Sequence, residues 1–207
     1  MTKPPVRVAV LVSGGGTNLQ ALLDAFHTSS IVRIARVISN RAQAGALERA
    51  RRAGVPTVML RDPGDAAELL AALGDAQLVV LAGYLKLVPA PVVSRFRGRM
   101  INIHPALLPD FGGAGMYGHR VHAAVLASGA TESGVTVHLV DEEVDHGPIV
   151  LQEPVAILPG DDERTLHERV KEVEHRLFPR AAALLAEGKL KIEGRRVHIL
   201  DQAVDGP

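Results

Sequence analysis

Val6 to Val12 is an apolar run broken only by Arg7, and it ends in Ser13-Gly14-Gly15-Gly16. A short, β-branched, glycine-bounded run reads as a buried strand. Asn18 to Phe26 then places Leu19, Leu22, Leu23 and Phe26 on one helical face. The same rhythm continues: strands over Ile31 to Ile38, Pro56 to Leu60 and Leu78 to Ala82 alternate with helices over Ala44 to Ala53 and Ala66 to Leu73. Alternation of this kind predicts an α/β fold, Rossmann-like, with a mostly parallel twisted sheet flanked by helices through right-handed crossovers. Ligands of such folds bind at the carboxyl ends of the strands.

The second half predicts mixed strands. Met100 to Ile103 is a short strand that runs into the proline-bounded loop His104 to Pro109. Asp110 to Gly118 is glycine-rich and is expected to be a mobile loop. His119 to Ala127 reads as a helix. Val135 to Val140 and Ile149 to Ile157 read as strands separated by an acidic turn, Asp141 to Pro148. Glu163 to Ala186 is a long amphipathic helix with a break expected at Pro179, and Lys189 to Leu200 reads as a terminal hairpin. There is no internal repeat or low-complexity linker. A single domain over 1–207 is expected, with a nucleotide-binding half up to about residue 100 and a catalytic half beyond it.

With 47% hydrophobic and 3% aromatic residues, the core must rest on Val, Leu, Ile and Ala, which suits a sheet covered on both faces. Lys plus Arg (23) equals Asp plus Glu (23), so no basic excess advertises a nucleic-acid surface. The absence of cysteine excludes disulfides, thiolate metal sites and a cysteine nucleophile. The N-terminus carries no signal pattern, and no stretch reaches the roughly 20 apolar residues of a membrane span. A soluble cytoplasmic protein is the expectation, with neither nucleic acid nor membrane as a partner.

Three motifs carry chemistry. The turn Ser13 to Asn18 joins a strand to a helix, so backbone amides, the helix dipole and the Thr17 and Asn18 side chains favour a bound phosphate. It lacks the Gly-Lys-Ser/Thr of a Walker loop, and Leu19 replaces the third glycine of a dinucleotide fingerprint. Asn102 and His104 lie two apart at a strand end and so share a face. An amide donor beside an imidazole suits the oxyanion of an acyl transfer, with Asn donating and His moving a proton or stabilising charge. No Ser or Cys lies near them, which favours direct attack by a substrate amine. In the acidic turn a carboxylate reaching His104 would raise its pKa. Spacing does not choose among Asp141, Glu142, Glu143 and Asp145.

Nine histidines invite a zinc site, but no HExxH or other ligand spacing is present, and no metal is expected. His119 and His122 are expected on a helix surface or lining the cleft. Arg61 ends a strand and can meet an anion. Glu174, mid-helix beside His175, reads by default as a surface charge.

Together, SGGGTNLQALLDA at 13–25, LAGYLKLV at 81–88, INIHPALLP at 101–109, GVTVHLVDEEVDHGPIV at 134–150 and ERVKEVEHRLFP at 168–179 closely resemble the phosphoribosylglycinamide formyltransferases of purine biosynthesis. The resemblance runs from Val6 to about Ile192. It implies the formyltransferase fold and a reaction in which 10-formyltetrahydrofolate, as co-substrate, formylates the amine of 5′-phosphoribosylglycinamide. It implies that Gly16, Thr17 and Asn18 bind the ribonucleotide, chiefly its phosphate, and that Glu174 contacts it. Leu85, Lys86, Leu87 and Val88 would line the folate pocket, with Arg61, Asn102 and Asp141 also on the folate side. Asn102, His104 and Asp145 would be catalytic, with a protonated His104 facing the oxyanion. The family makes a homodimer plausible.

Two features depart from the common family pattern. The 111–119 loop is longer than the usual version and has a Gly-Met-Tyr-Gly-His form, and His146 stands where Gly or Thr is common. Rival members of the wider group are 10-formyltetrahydrofolate hydrolase and methionyl-tRNA formyltransferase, each expected to carry a further domain. A non-catalytic nucleotide-binding module would explain the glycine turn but would leave Asn102, His104 and Asp145 idle.

Overall fold

The structure, a computed structural model, describes residues 3–200; residues 1–2 and 201–207 of the expected 1–207 domain lie outside the described residues. The first half runs β1 (Val6–Val12), α1 (Thr17–Phe26), β2 (Val32–Ser39), α2 (Gly45–Arg52), β3 (Thr57–Met59), α3 (Ala66–Leu73), β4 (Leu78–Leu81) and α4 (Ala90–Arg95). The second runs β5 (Met100–His104), α5 (His119–Ala127), β6 (Glu132–Leu139), β7 (Ile149–Ala156), α6 (Glu163–Ala186), β8 (Leu190–Glu193) and β9 (Arg196–Ile199).

Seven strands form one sheet in the order β3-β2-β1-β4-β5-β6-β7, and β8 pairs with β9 as a separate hairpin. The contacts from β3 through β5 are parallel, while β5–β6 and β6–β7 are antiparallel. This is the expected mixed α/β sheet. The apolar run of β1 is continuous because both of its faces are covered. Val8, Val10 and Val12 pack with α1, α2, α5 and α6, whereas Ala9 and Leu11 pack with α3 and α4.

Helix α6 starts with a capping box: Thr165 N donates to Asp162 Oδ1 at 2.7 Å, and Asp162 N donates to Thr165 Oγ1 at 3.0 Å. The break expected at Pro179 does not occur; the helix runs through it to Ala186. An interior proline costs a helix about 3 kcal/mol. Burying Leu177, Phe178, Ala181 and Ala182 on either side of it offsets that cost. The sequence reading leaves 83–99 unassigned, yet α4 forms there, with proline tolerated in its first turn.

The strand order reverses between β1 and β4, which opens a crevice at their carboxyl ends. The two loops beside it are stitched together. Ser13 N donates to the Gly83 carbonyl at 3.1 Å, Leu85 N donates to Ser13 Oγ at 2.9 Å, and Ser13 Oγ donates to Asn40 Oδ1 at 2.6 Å. Behind the turn, Ala46 N donates to the Gly14 carbonyl at 3.1 Å, and Arg49 Nε donates to the Gly15 carbonyl at 2.8 Å.

Gly16 has φ 78°. A Cβ there would lie 2.6 Å from both the Cα and the Cβ of Ala46. Gly16→Ala is therefore expected to lower the unfolding free energy by about 1–3 kcal/mol in urea titrations. Gly15→Ala, whose Cβ meets nothing within 4 Å, is the control and should stay within about 0.5 kcal/mol of the parent.

Candidate active site

Strand β5 ends with Asn102 and His104, and the antiparallel register sets His138 of β6 opposite Asn102 and Thr136 opposite His104. The β6–β7 turn then brings Asp145 back over these residues. Asn102 Nδ2 donates to Asp145 Oδ1 at 3.4 Å and lies 3.1 Å from His138 Nε2. His104 Nδ1 stands 3.5 Å from Asp145 Oδ2, and His138 Nε2 stands 3.6 Å from Asp145 Oδ1. The Asp145 side chain is 8% exposed. The structure thus brings Asn102, His104 and Asp145 together, with His138 as a fourth member.

Asp145 is the one non-glycine residue with positive φ among the described residues, at 55°. A left-handed aspartate is strained by about 1 kcal/mol or more, so the surroundings must hold it. Gly113 N donates to its Oδ2 at 3.1 Å. Two residues on, a Cβ at Gly147 would run into the Leu139 carbonyl, so only glycine lets the turn pack onto the end of β6. Burial alone would raise the Asp145 carboxyl. The His138 hydrogen bond, the nearby His104, the Gly113 amide and the His138 charge together outweigh it and hold the group below its usual value.

His104 Nε2 donates to the Phe111 carbonyl at 2.7 Å. That partner only accepts, so Nε2 carries the proton and Nδ1 faces Asp145. Burial lowers the His104 pKa. Asp145 and the Phe111 carbonyl push it up without overcoming burial, and His138 adds to the lowering. The carboxylate raises this pKa as expected, but the expectation of a charged His104 is corrected: in this arrangement the imidazole is neutral at neutral pH, because desolvation wins.

The loop beyond His104 is pinned by residues that the sequence did not single out. Thr136 Oγ1 donates to the Ala106 carbonyl at 2.7 Å and accepts from Leu108 N at 3.1 Å. Gln152 Nε2 donates to the Leu108 carbonyl at 3.0 Å and to Thr136 Oγ1 at 2.9 Å. Thr136 and His138 share a parity on β6. That was the available signal, but it needed the register with β5 to be read.

At the glycine turn, Thr17 is exposed and Gly16 and Asn18 are half-buried. Helix α6 crosses behind them and places Glu174 against Asn18. Glu174 is 7% exposed, so the default reading as a surface charge is overturned. Burial pushes its carboxyl up to about 7, although Asn18 and Lys171 pull it down. Asn18 Oδ1 is buried with no partner among the described residues.

Leu85, Lys86 and Leu87 are exposed and Val88 is half-buried, all on the loop after β4. Leu87 is 73% exposed, which is unusual for a leucine beside a crevice. Asp141 caps its own turn by accepting from Glu143 N at 3.0 Å. Arg61 is not brought to this cluster. It follows β3 at the opposite edge of the sheet, is 94% exposed, and lies 3.6 Å from Glu68. His119 is exposed, but His122 is fully buried rather than on a helix surface. Burial, helped by His167 3.1 Å away, pushes His122 down to about 4. Among the described residues no group of three or more His, Asp or Glu is arranged to hold a metal, and no helix is long and apolar enough to cross a membrane.

Glu174 makes stability depend on pH. Its folded pKa (about 7) exceeds the ordinary 4.5, so its contribution is full below 4.5 and is lost as pH rises through 7. Glu174→Gln is expected to remove that loss, raising stability at pH 8 relative to the parent by up to about 3 kcal/mol and leaving pH 4 unchanged. Paired urea titrations at the two pH values read the difference.

The formyl transferase family matches residues 6–182. A phosphoribosylglycinamide formyltransferase of Haemophilus influenzae is 40% identical, covering 96% of this chain and 95% of that protein. The trifunctional purine biosynthetic protein adenosine-3 of Drosophila pseudoobscura is 47% identical over 92% of this chain, which spans 14% of that longer protein. The crystal structure of glycinamide ribonucleotide transformylase 1 from Symbiobacterium toebii has a TM-score of 0.87 at 48% identity, covering 95% of each chain. The chain belongs to the formyl transferase family, among the phosphoribosylglycinamide formyltransferases.

Proposed function

We propose that the protein transfers the formyl group of 10-formyltetrahydrofolate to the amine of 5′-phosphoribosylglycinamide, a step of de novo purine biosynthesis. The observation that carries the reading is the convergence of Asn102, His104 and Asp145 beside a crevice whose far side is a glycine turn. An oxyanion site and a phosphate cradle are then held on one sheet, at the carboxyl ends of β5 and β1, the strands on either side of β4.

The phosphate docks on the amides of Gly16, Thr17 and Asn18 at the start of α1, and Glu174 meets the same ribonucleotide. The folate lies against Leu85, Lys86, Leu87 and Val88, with Asp141 and its turn on the other side. Exposed leucines offer apolar cover to the ring, and the backbone of the segment offers polar partners. Arg61, exposed at the outer edge of the sheet, serves the anionic end of the folate.

The amine nitrogen attacks the formyl carbon, and the carbonyl oxygen takes the negative charge. Asn102 donates to that oxygen, and His104 Nε2 transfers its proton contact from the Phe111 carbonyl to it. As the oxyanion forms, its charge raises the pKa of the imidazole, and the Nδ1 that faces Asp145 takes up the proton released by the amine and passes it on through water. The bond from the formyl carbon to the folate nitrogen breaks. The proton released by the amine moves to that nitrogen through water held by Asp145. Attack by the amine is direct, and no covalent enzyme intermediate is part of the scheme.

Formyl transfer to 5′-phosphoribosylglycinamide, with a water-only control, tests the reading directly. Asn102→Ala and Asp145→Asn should each lower kcat by about a hundredfold or more while the fold is retained by circular dichroism. Normal turnover in either variant would sink the assignment. Formate release at equal rate without the ribonucleotide would make water the acceptor instead.

A further inference from the structure

The turn that carries Asp145 is held from a part of the chain that the reaction does not otherwise involve. The β8–β9 hairpin turns through Gly194-Arg195, and its strands lie against β7 and against Gly98, whose added Cβ would stand 3.4 Å from Ile192. From the tip, Arg195 Nη2 donates to the His146 carbonyl at 2.7 Å. Its Nη1 stands 2.9 Å from both ring nitrogens of His146. An atom equidistant from the two nitrogens lies over the face of the ring, because in the ring plane it would collide with the carbon between them. The contact therefore sets one guanidinium nitrogen over the imidazole face, with one directed bond to the backbone.

Carboxylates of the turn reach the same ring. His146 Nδ1 lies 2.9 Å from Glu143 Oε2 and 3.3 Å from Asp141 Oδ2. Arg97, just after α4, pairs with Glu142. Two arginines from separate elements thus grip the acidic turn on both sides of the residue that needs support. Asp145 adopts a left-handed backbone, and the carbonyl that Arg195 fixes belongs to the next residue. An exposed ion pair would contribute little. A bond to the main chain beside a strained residue instead acts on where its carboxylate points.

We infer that Arg195 is a positioning residue for formyl transfer: through His146 it holds the 141–148 turn so that Asp145 faces Asn102 and His104. The inference rests on the proposed function for its kinetic consequence, but not for the contact itself. Misplacing a catalytic group by about 1 Å costs up to about a hundredfold in rate.

The test compares Arg195→Ala and Arg195→Lys in the full chain. Arg195→Ala should lower kcat by about tenfold or more and raise KM for the formyl-folate. KM for the ribonucleotide should not change, because the glycine turn lies on the other side of the crevice. Arg195→Lys should recover most of the loss, since an ammonium still donates to the His146 carbonyl. Hydrogen exchange of amides 142–147 should rise by about tenfold in Arg195→Ala, with β1 amides unchanged. Parent-like kcat and exchange in Arg195→Ala would overturn the inference, as would a uniform rise of both KM values with a lowered melting temperature. If the parent protein transfers no formyl group, the proposed function fails, and the exchange measurement still decides whether Arg195 holds the turn.

Discussion

A carboxylate with 8% of its side chain exposed has to be surrounded by donors, and Asp145 dictates much of what lies around it. An unpaired buried carboxylate would be worth several kcal/mol against the fold. Its partners come from three places: Asn102 and His104 on β5, His138 on β6, and the Gly113 amide in the loop before α5. Each partner has a supporting reason to be there. The antiparallel register sets His138 opposite Asn102, and Thr136 with Gln152 fixes the loop that follows His104. The switch from parallel to antiparallel pairing at β5 is therefore what makes the site. It lets β6 return beside the strand end and lets the next turn fold back over it.

The same burial sets the resting state of His104. With its proton committed to the Phe111 carbonyl through Nε2, the neutral ring turns a lone pair towards Asp145. That is an unfavourable pairing which protonation at Nδ1 would relieve, yet desolvation keeps the ring neutral. The balance is set by opposing effects that are all local. A new negative charge near Nε2 would tip it, since Coulomb effects are strong where water is excluded. In the proposed reaction that charge is the oxyanion itself, so the imidazole becomes charged when the transition state needs it. The Phe111 carbonyl occupies the same donor until then.

Legibility in the sequence followed the number of faces that an element buries. Strands β1 and β4 read clearly because they are covered on both sides, and the glycine turn read clearly because its backbone requires Gly16. The pair Asn102 and His104 read from strand parity alone. Asp145 did not separate from Asp141, Glu142 and Glu143, because what distinguishes it is a positive φ and a fold-back that packs Gly147 onto β6. His138 stayed hidden because strand register is a tertiary property. Glu174 looked exposed because Lys171, Glu172, His175 and Arg176 surround it in sequence, whereas α1 packs over that face of α6. Pro179 looked like a break because local propensity ignores the apolar residues buried around it.

Both ends of the crevice carry a titratable group that burial pushes towards its neutral form. At one end it is His104, and at the other Glu174, pushed up to about 7. A fully ionised carboxylate beside a glycine turn would repel the phosphate proposed to bind there. A carboxyl near the middle of its titration at neutral pH can instead keep its proton and donate to a phosphate or hydroxyl oxygen. The unpaired Asn18 Oδ1 lies in the same place and lacks a donor. A buried acceptor without a donor costs about 1–3 kcal/mol. The glycine-turn end of the crevice thus stores unsatisfied polarity that a ligand with both phosphate oxygens and hydroxyl donors, such as the proposed ribonucleotide, would relieve.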